Sequence, residues 1–351
     1  MKKIESLRAA KPAMSPGAII ESMKGFAHLR TLVVGDLFLD EYIESEMYEV
    51  SKEGPIPVVR IRSKTQTPGA AGNLASSIRN LGAAVSVVGV VGKDSNGDVL
   101  LSGLGDRGIR TRSVVVHPRM RTLTYSKLRA CVANTPSREI LRMDILPDGP
   151  VARDVEDRIL ASIRREAAGA DAIVVLDQIH HLITKRILQE LPGIARSAGA
   201  LLHGSSRDHI QDFHDFDLIT PNDREAHLAV GGDPGDVVRL GTLLKQRGRF
   251  RKVLLTLGER GMALASEKGP MLRMETFAKE VVDVTGAGDA VSSVTALGNS
   301  LGWDLPSVAW AASHAAAIAI AHVGTHHVSC AEIVERIQSC LGGSHRRRSG
   351  A

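Results

Sequence analysis

The sequence predicts an α/β protein whose mostly parallel central sheet carries helices on both faces and a small β-sheet lid. Several strands are apolar without alternation, which is typical of parallel strands buried on both faces. From about residue 151 onward such strands alternate regularly with helical segments, as in layered α/β sheets. Strand-rich stretches at about 36–66 and 112–145 interrupt this alternation, and we expect them to form the lid.

The remaining elements follow from the hydrophobic pattern and the turn residues. Those of the first half are a buried strand at 31–35, a glycine-rich turn at 67–73 that leads into a helix ending near 82, a buried strand at 85–91, a helix at 95–107 and a strand at 114–116. Polar and apolar residues alternate with period two over 122–130, and residues 139–143 form a second strand segment across a turn, which predicts a β-hairpin. Those of the second half are helices ending near 167 and 198, strands at 172–176, 200–202, 218–220 and 252–257, and a last glycine-rich helix start near 286.

The 351 residues suit one large α/β domain with an added segment at each end. The predicted domain is 28–340, where the strand and helix patterns lie. Residues 1–27 lack strand periodicity and predict an N-terminal arm with a short helix at 16–23. Residues 341–351 contain a run of His and Arg and predict a solvated basic tail.

Composition and charge limit the classes of function. The net charge of +5 is modest and aromatic residues make up 3%, so interleaved basic and aromatic side chains for nucleic acid are not expected. The three cysteines lack metal-site spacing, the N-terminus lacks a signal-peptide core, and no apolar run reaches the roughly 18 residues of a membrane span. We expect a soluble, cytoplasmic protein that binds neither nucleic acid nor membrane and has a small phosphorylated molecule as its partner.

The most informative segment is 281–290. Gly286, Ala287 and Gly288 let backbone N–H groups approach a ligand closely, and an uncharged, predicted helix follows. The free N–H groups and the dipole of a helix N-terminus suit a phosphate. Asp289, beside that anion hole, is suited to accept a proton from a hydroxyl that attacks the phosphate. The alternative is a tight loop in which Asp289 only caps the helix.

Two motifs near the ends of early elements supply candidate substrate ligands. Asp36 and Asp40 follow the strand at 31–35, and residues just past such strands line the ligand crevice of a parallel sheet. Gly69 and Asn73 combine close backbone approach with an amide that donates and accepts hydrogen bonds. The alternatives are an ordinary surface loop for the carboxylates and a helix-start role for Asn73.

Two later motifs follow strands of the second half. Asn222 and Glu225 have the spacing of a capping box, which accounts for them fully. The functional alternative is that they orient magnesium-bound water and phosphate. The Gly-rich turn with Thr256, Gly258 and Gly261 either cradles a nucleotide or is an ordinary hairpin.

Two groups of basic residues have opposite interpretations. Lys127 and Arg129 lie two apart on one predicted strand and therefore point to the same face. That arrangement suits a phosphate on the substrate, or else a solvated strand face. His322, His326 and His327 lack a carboxylate or cysteine companion, so we interpret them as surface or packing residues rather than metal ligands.

The order of these motifs resembles the ribokinase-like (PfkB-type) carbohydrate kinase family over about residues 29–338. The motifs are Gly35-Asp36, Pro68-Gly-Ala-Ala-Gly-Asn73, Pro221-Asn-x-x-Glu225, Thr256-x-Gly-x-x-Gly261 and Asp283-x-Thr-Gly-Ala-Gly-Asp289, of which the last is highly specific. Further segments are similar to the kinase domain of bacterial heptose-phosphate kinase/adenylyltransferases, namely 33–40, 53–59, 127–129, 141–144 and 323–329. We expect that domain without the family's second, nucleotidyltransferase domain.

The resemblance implies a ribokinase-like fold and ATP-dependent phosphorylation of a sugar, with the 1-OH of a heptose 7-phosphate as the acceptor. It implies that Asp289 is the base and that residues 286–288 form the anion hole. The other implied ligands are Asp36, Asp40, Gly69 and Asn73 for the sugar, Lys127 and Arg129 for its phosphate, Asn222, Thr256, Gly258 and Gly261 for the nucleotide, Glu225 for Mg²⁺ through water, and Asp283, Thr285, Gly324 and Ser329 for a monovalent cation such as K⁺. It also implies a homodimer formed through the lid strands.

The sequence departs from the family pattern in three places. Asp177-Gln-Ile-His-His181 lacks the family's lysine, residues 202–207 lack an aspartate before Arg207, and the first loop carries Glu49 and Lys52. These departures leave open a kinase for another sugar, sugar phosphate or nucleoside. From a different class, the alternative is a non-catalytic sugar or nucleotide sensor, against which the intact Asp289 loop argues.

Overall fold

The computed structural model describes residues 4–131, 137–147, 149–179, 181–233, 235–278 and 280–348, the last seven of them by their backbone alone. The strands are β1 (Arg8–Ala9), β2 (Arg30–Gly35), β3 (Leu37–Val50), β4 (Pro57–Ala70), β5 (Ala84–Val88), β6 (Val90–Gly92), β7 (Val115–His117), β8 (Leu123–Cys131), β9 (Arg138–Ile145), β10 (Ala172–Asp177), β11 (Leu201–Ser206), β12 (Leu218–Ile219), β13 (Lys252–Thr256), β14 (Met262–Ala265) and β15 (Leu272–Met274). The α-helices are α1 (Pro16–Met23), α2 (Ala71–Asn80), α3 (Ser95–Asp106), α4 (Arg153–Ala167), α5 (Lys185–Ala198), α6 (Asp223–Val230), α7 (Val237–Gly248), α8 (Ala287–Ser300), α9 (Leu305–Ala319) and α10 (Cys330–Arg348).

The central sheet has the strand order β1-β15-β14-β13-β12-β11-β10-β2-β5. Its pairs are parallel except for those of β14, which runs antiparallel to both neighbours. Alternate residues of β2 enter opposite cores: Val33 packs with α2, α8 and α9, whereas Leu32 and Val34 pack with α4 to α7. Both faces of the sheet are therefore buried, which explains the continuous apolar strands and confirms the predicted fold class.

The lid is a separate four-stranded sheet of order β4-β3-β8-β9. Only Asp36 separates β2 from β3, so the chain passes directly from the central sheet into the lid. The predicted hairpin is β8 paired antiparallel with β9, and β8 also pairs in parallel with β3. This pairing places the inner face of the lid beside the carboxyl ends of the central strands, where ligands bind in such sheets.

Some predicted boundaries differ from the structure. The strand expected at 85–91 is interrupted at Gly89, where a Cβ atom would lie 2.5 Å from the Leu37 side chain. Beyond this point β6 leaves the central sheet and pairs with β7, so residues 115–117 of the predicted lid stretch lie outside the lid. The strand expected at 200–202 continues as β11 to Ser206.

The two end segments pack more closely than expected. Within residues 1–27, β1 extends the central sheet beside β15, and α1 buries Ile19 and Met23 in one of the cores. The apolar spacing of these side chains along one helix face accounts for that packing. The predicted tail begins inside α10, and residues 349–351 lie outside the described residues. Across the described ranges, no helix combines the length and apolarity needed to cross a membrane.

Candidate active site

The N-terminus of α8 is the centre of the candidate site. Gly286 is the N-cap residue at φ +81°, a left-handed conformation that glycine adopts without strain. No side chain in the described part of the chain caps this end. Ala287 N donates to Val284 O at 3.3 Å, a long hydrogen bond, and the next two N–H groups, of Gly288 and Asp289, are left for a ligand. A buried, uncharged helix body from Ala290 to Asn299 fixes the position of this end against the central sheet.

Two pockets meet at this helix end. The smaller, of about 260 Å³, is lined by Asp40, Tyr42, Ala70, Asn73, Tyr125, Lys127, Arg142, Leu176, Gln178, Arg207, Thr285, Gly286, Asp289 and Thr325. The larger, of about 550 Å³, is lined on the same side by Ala287 and Gly288. The segment 286–289 is therefore the boundary between the pockets, and a group transferred from one to the other would pass the N–H groups of α8.

Asp289 is the carboxylate at this boundary. The amide Nδ2 of Asn73 donates a short hydrogen bond to Asp289 Oδ2. Burial raises the pKa of Asp289 to about 6, opposed by the Asn73 hydrogen bond and assisted by the negative charge of Asp40. A carboxylate with this pKa is ionised near neutral pH and is still basic enough to accept a proton from a reacting hydroxyl.

Asp40 lines the smaller pocket together with Lys127 and Arg142, two basic residues of the lid strands. Its Oδ1 is 3.6 Å from Lys127 Nζ, which also donates a hydrogen bond of 3.2 Å to the Tyr42 hydroxyl. Asp40 Oδ1 is buried without a hydrogen-bond partner among the described residues, so it can accept a bond from a sugar hydroxyl. A Cβ atom at Gly69 would lie 2.5 Å from Asp40 Oδ2, so this glycine makes room for the carboxylate.

Arg142 and Arg207 line the smaller pocket and were missed by the sequence analysis. Arg142 lies opposite Lys127 in the β8–β9 register, 3.9 Å from the centroid of the Tyr125 ring, and donates to both oxygens of Asp144 at 2.7 and 3.0 Å. Arg142 could have been predicted from the hairpin register, because it pairs across the strands with the candidate ligand Lys127. Arg207 follows the end of β11, a position that faces the crevice of a parallel sheet.

Two predicted substrate ligands have other contacts. Asp36 is buried, and its oxygens accept hydrogen bonds from the backbone N–H groups of Gln178, Ile179 and Leu182 at 3.0–3.1 Å. The Asp36 carboxylate therefore stabilises the loop after β10 through these hydrogen bonds and is not directed towards a sugar. Arg129 pairs with Glu44 at 2.9 Å, outside the pocket lining. Residues two apart on a strand are separated by roughly 6.6 Å, so only Lys127 reaches the pocket.

The predicted nucleotide ligands Asn222, Thr256, Gly258 and Gly261 all line the larger pocket. The backbone N–H of Thr256 donates to Pro221 O at 2.9 Å, which joins the two motifs. Gly261 has φ +84°, and a Cβ atom there would collide with the carbonyl oxygen of Met274. The turn therefore requires glycine at this position for steric reasons. The backbone of Gly258 and Gly261 forms part of the wall of the larger pocket.

Glu225 forms the capping box that its spacing predicts. Asn222 N donates to Glu225 Oε2 at 2.9 Å and Glu225 N donates to Asn222 Oδ1 at 2.8 Å. Burial raises the pKa of Glu225 to about 7. The described residues contain no group of three or more His, Cys, Asp or Glu side chains arranged for a metal ion. Glu225 is not among the residues that line the larger pocket, whereas its neighbours Asn222, Asp223 and Arg224 are. A Mg²⁺ that arrived with ATP would therefore reach Glu225 only through water, as such ions take most ligands from phosphate and water and need only one or two carboxylates.

The four candidate ligands of a monovalent cation lie in two neighbouring segments. Asp283 accepts hydrogen bonds from the N–H and hydroxyl of Thr285 at 2.9 and 2.7 Å and from Gly324 N at 2.9 Å. These bonds hold the pKa of Asp283 below its usual value. Ser329 donates instead to Glu332, at 2.6 Å from its hydroxyl. The structure therefore brings Asp283, Thr285 and Gly324 together and turns the Ser329 hydroxyl towards α10.

The three histidines of the loop before α10 have different partners. His326 Nε2 lies 2.7 Å from Glu332 Oε1, and its ring stacks on that of His322. His327, interpreted from the sequence as a surface or packing residue, lies 2.7 Å from Asn73 Oδ1 in the candidate site. Sequence spacing carries no signal for this contact because the two residues are far apart in the chain.

Comparison with known proteins identifies relatives by sequence. Residues 38–331 match the pfkB family carbohydrate kinase. The chain is 33% identical over 323 residues to the Bifunctional protein HldE of Geobacter metallireducens and 34% identical over 325 residues to that of Pelobacter propionicus. These matches cover 90% and 91% of this chain but only 64% and 65% of the relatives, so the chain spans just under two thirds of their length.

Solved structures share the fold. Ribokinase of Arabidopsis thaliana, complexed with ribose and ATP, has a TM-score of 0.67 and 18% identity and covers 88% of this chain and 98% of its own. Phosphofructokinase-2 of Escherichia coli, in complex with potassium, has a TM-score of 0.71 and 18% identity and covers 89% and 98%. The family match, with this fold, identifies an ATP-dependent carbohydrate kinase. By its sequence match, the chain belongs to the PfkB family of carbohydrate kinases.

Proposed function

We propose that this kinase phosphorylates a sugar that already carries a phosphate, with the anomeric 1-OH of a heptose 7-phosphate as the acceptor. The observation that carries the proposal is the set of cations Lys127, Arg142 and Arg207 in a pocket of about 260 Å³. The pocket lining carries these three cations and two carboxylates, Asp40 and Asp289, so positive side chains are in excess. A sugar phosphate, unlike a neutral sugar, supplies negative charge for that excess and a geometry suited to arginine. The resemblance of segments 127–129 and 141–144 to heptose-phosphate kinases supports the heptose assignment.

The chemistry follows from the two pockets. ATP in the larger pocket presents its γ-phosphate to the N–H groups of α8, and the sugar hydroxyl approaches from the smaller pocket. Asp289 accepts the hydroxyl proton as the oxygen–phosphorus bond forms and the bond to ADP breaks. The N–H groups of residues 286–288 stabilise the charge that develops on the transferred group. Mg²⁺ bound with ATP supplies charge neutralisation, and Glu225 would hold it through water.

The test is ADP release from ATP and Mg²⁺ with a panel of acceptors. The panel contains D-glycero-D-manno-heptose 7-phosphate, ribose, fructose and fructose 6-phosphate, with the Asp289→Asn variant in parallel. We expect strong turnover on the heptose phosphate alone. Turnover only on another sugar or on a nucleoside would discard the heptose assignment and keep the family. Binding of ATP without turnover on any acceptor would favour a sensor.

The Glu225→Gln variant separates the capping role of this residue from its role towards magnesium. Glutamine also serves at the N3 position of a capping box, so the melting temperature should stay near the parental value. Above pH 7 the Glu225 carboxyl is ionised and the variant lacks this charge, so the Mg²⁺ concentration for half-maximal activity measured at pH 8 should rise by about tenfold. Activity titrated against Mg²⁺ at fixed ATP measures this rise. An unchanged Mg²⁺ dependence, with Glu225→Ala losing only stability, would reduce Glu225 to a helix cap.

Two further features belong to the proposal. We propose a homodimer through the lid, supported by exposed apolar side chains on β4 and β9, namely Ile61, Leu141 and Met143. β4 and β9 are the two edge strands of the lid, so these side chains lie at opposite edges of one small sheet, where backbone groups are also open to pairing with another strand. We also propose a monovalent cation site at Asp283, Thr285 and Gly324, supported by the negative charge that the neighbouring donors stabilise on Asp283.

A further inference from the structure

We propose that His327 is a positioning residue that holds the Asn73 amide with its NH₂ group towards Asp289. The inference rests on the proposed function, because it concerns the base of that reaction. It assigns a role to a histidine that the phosphoryl-transfer chemistry does not itself use. Asn73 is the link between the two residues, since it contacts His327 with one end of its amide and Asp289 with the other.

The geometry fixes the direction of each hydrogen bond. An amide can present either its NH₂ group or its carbonyl oxygen to a neighbour, and the two are distinguished by their partners. The Nδ2 of Asn73 donates to the Asp289 carboxylate, which leaves Oδ1 to accept from His327 Nε2 at 2.7 Å. The Nε2–H tautomer and the protonated imidazole both donate at this atom, so the role is the same in either charge state.

His327 is itself held in place by the surrounding backbone. The Asn80 side chain, at the end of α2, donates to the His327 carbonyl oxygen at 2.6 Å. The next residue, Val328, is buried in the core beside α2 and α8. Asn73 lies on the first turn of the same helix and is only 8% exposed. The imidazole and the amide are therefore held relative to one another, because α2 carries Asn73 at its first turn and holds the His327 backbone through Asn80 at its last residue.

Loss of the donor at position 327 removes the preference for one amide orientation. A rotated Asn73 amide would present its carbonyl oxygen to Asp289. The carboxylate would then lose a hydrogen-bond donor and face the negative end of the amide dipole. The other groups that face Asp289 come from separate elements: Asp40 of β3, Lys127 of β8, Arg142 of β9 and Arg207 after β11. None of these changes in a variant of His327, so a change in the titration of Asp289 would report on the amide.

The test measures the titration of Asp289 directly. Protein labelled with [4-¹³C]aspartate gives a carboxyl resonance for Asp289, assigned by its loss in Asp289→Asn. His327→Phe and His327→Leu, which differ in shape and both lack a donor, should move its midpoint upward by about one pH unit, since one unit corresponds to a hydrogen bond of ordinary strength. His327→Gln keeps a donor and should restore the parental midpoint. The acid limb of the pH profile of kcat/KM should follow the same pattern.

Two controls isolate the route through Asn73. His326→Leu removes the neighbouring imidazole, which contacts Glu332 instead, and should leave the midpoint unchanged. In an Asn73→Leu background, His327→Leu should add no further shift, because the link is already missing. An unmoved midpoint in folded His327→Phe or His327→Leu protein, or an additive shift in the double variant, would overturn the proposal. The titration requires no turnover, so it remains decisive even if no sugar on the panel is phosphorylated.

Discussion

Replacement of Asp289 by asparagine should lower kcat by about 10²- to 10⁴-fold, the usual contribution of a positioned general base. The asparagine side chain has the shape of aspartate and can still accept the hydrogen bond from Asn73, so the fold and the affinity for ATP should stay near parental values. It cannot accept a proton from the sugar hydroxyl at neutral pH. Single-turnover rates and the melting temperature of the variant measure the two expectations separately.

The pH dependence of the parent enzyme provides the second half of this test. Burial raises the pKa of Asp289 to about 6, and the base acts only in its ionised form. The kcat/KM of the parent should therefore be constant above this pH and fall tenfold for each pH unit below it. In Asp289→Asn this acid limb should be absent from the residual activity. Near-parental activity in the variant, or an unchanged acid limb, would contradict the assignment of the base.

A matched control comes from another helix. Asp98 also lies in the first turn of an α-helix, α3, but its side chain is exposed and lines neither of the two pockets. Asp98→Asn makes the same chemical change in the first turn of a helix. It should leave kcat and its pH profile unaltered, which would show that the loss in Asp289→Asn comes from the position of the carboxylate and not from the loss of one acidic group.

The features of the site that the sequence predicted are those set by local spacing. The glycines at 286 and 288 and the capping box of Asn222 and Glu225 depend on residues a few positions apart, and the structure contains both. The parallel sheet was predictable for a similar reason, since apolar runs such as β2 reflect burial on both faces. These properties follow from the chain itself, without knowledge of which distant segments meet.

The features that were missed depend on distant contacts. Asp36 follows β2 as a sugar ligand would, but the loop after β10 supplies three N–H groups that occupy its oxygens. His327 is 254 residues from Asn73, and only the packing of α2 against the loop before α10 brings them together. Arg129 and Lys127 share a strand face, yet the edge of the pocket falls between them. A local sequence pattern does not show where the edge of a pocket formed by distant segments lies.

The second large effect is expected from Arg142, because its charge distinguishes a phosphorylated substrate from a neutral one. Arg142→Met should lower kcat/KM for the sugar phosphate by about 30- to 150-fold, corresponding to roughly 2–3 kcal/mol for a hydrogen-bonded charge pair. It also leaves Asp144 without the arginine that now engages both of its oxygens, so the negative charge beside the pocket is no longer compensated. Initial rates at several substrate concentrations give kcat and KM separately.

The comparison that decides between the assignments is Arg129→Met. The sequence pattern placed Arg129 at the substrate phosphate, whereas in the structure it pairs with Glu44 outside the pocket. If the phosphate is held by Lys127, Arg142 and Arg207, Arg129→Met should change kcat/KM by less than about threefold, because Arg129 belongs to a half-buried ion pair outside the pocket lining. The selectivity for sugar phosphate over the corresponding neutral sugar should fall in Arg142→Met alone. Two results would show that the cations of the smaller pocket do not bind a substrate phosphate. One is an equal loss of kcat/KM in both variants. The other is a loss in Arg142→Met that is the same for phosphorylated and neutral sugars.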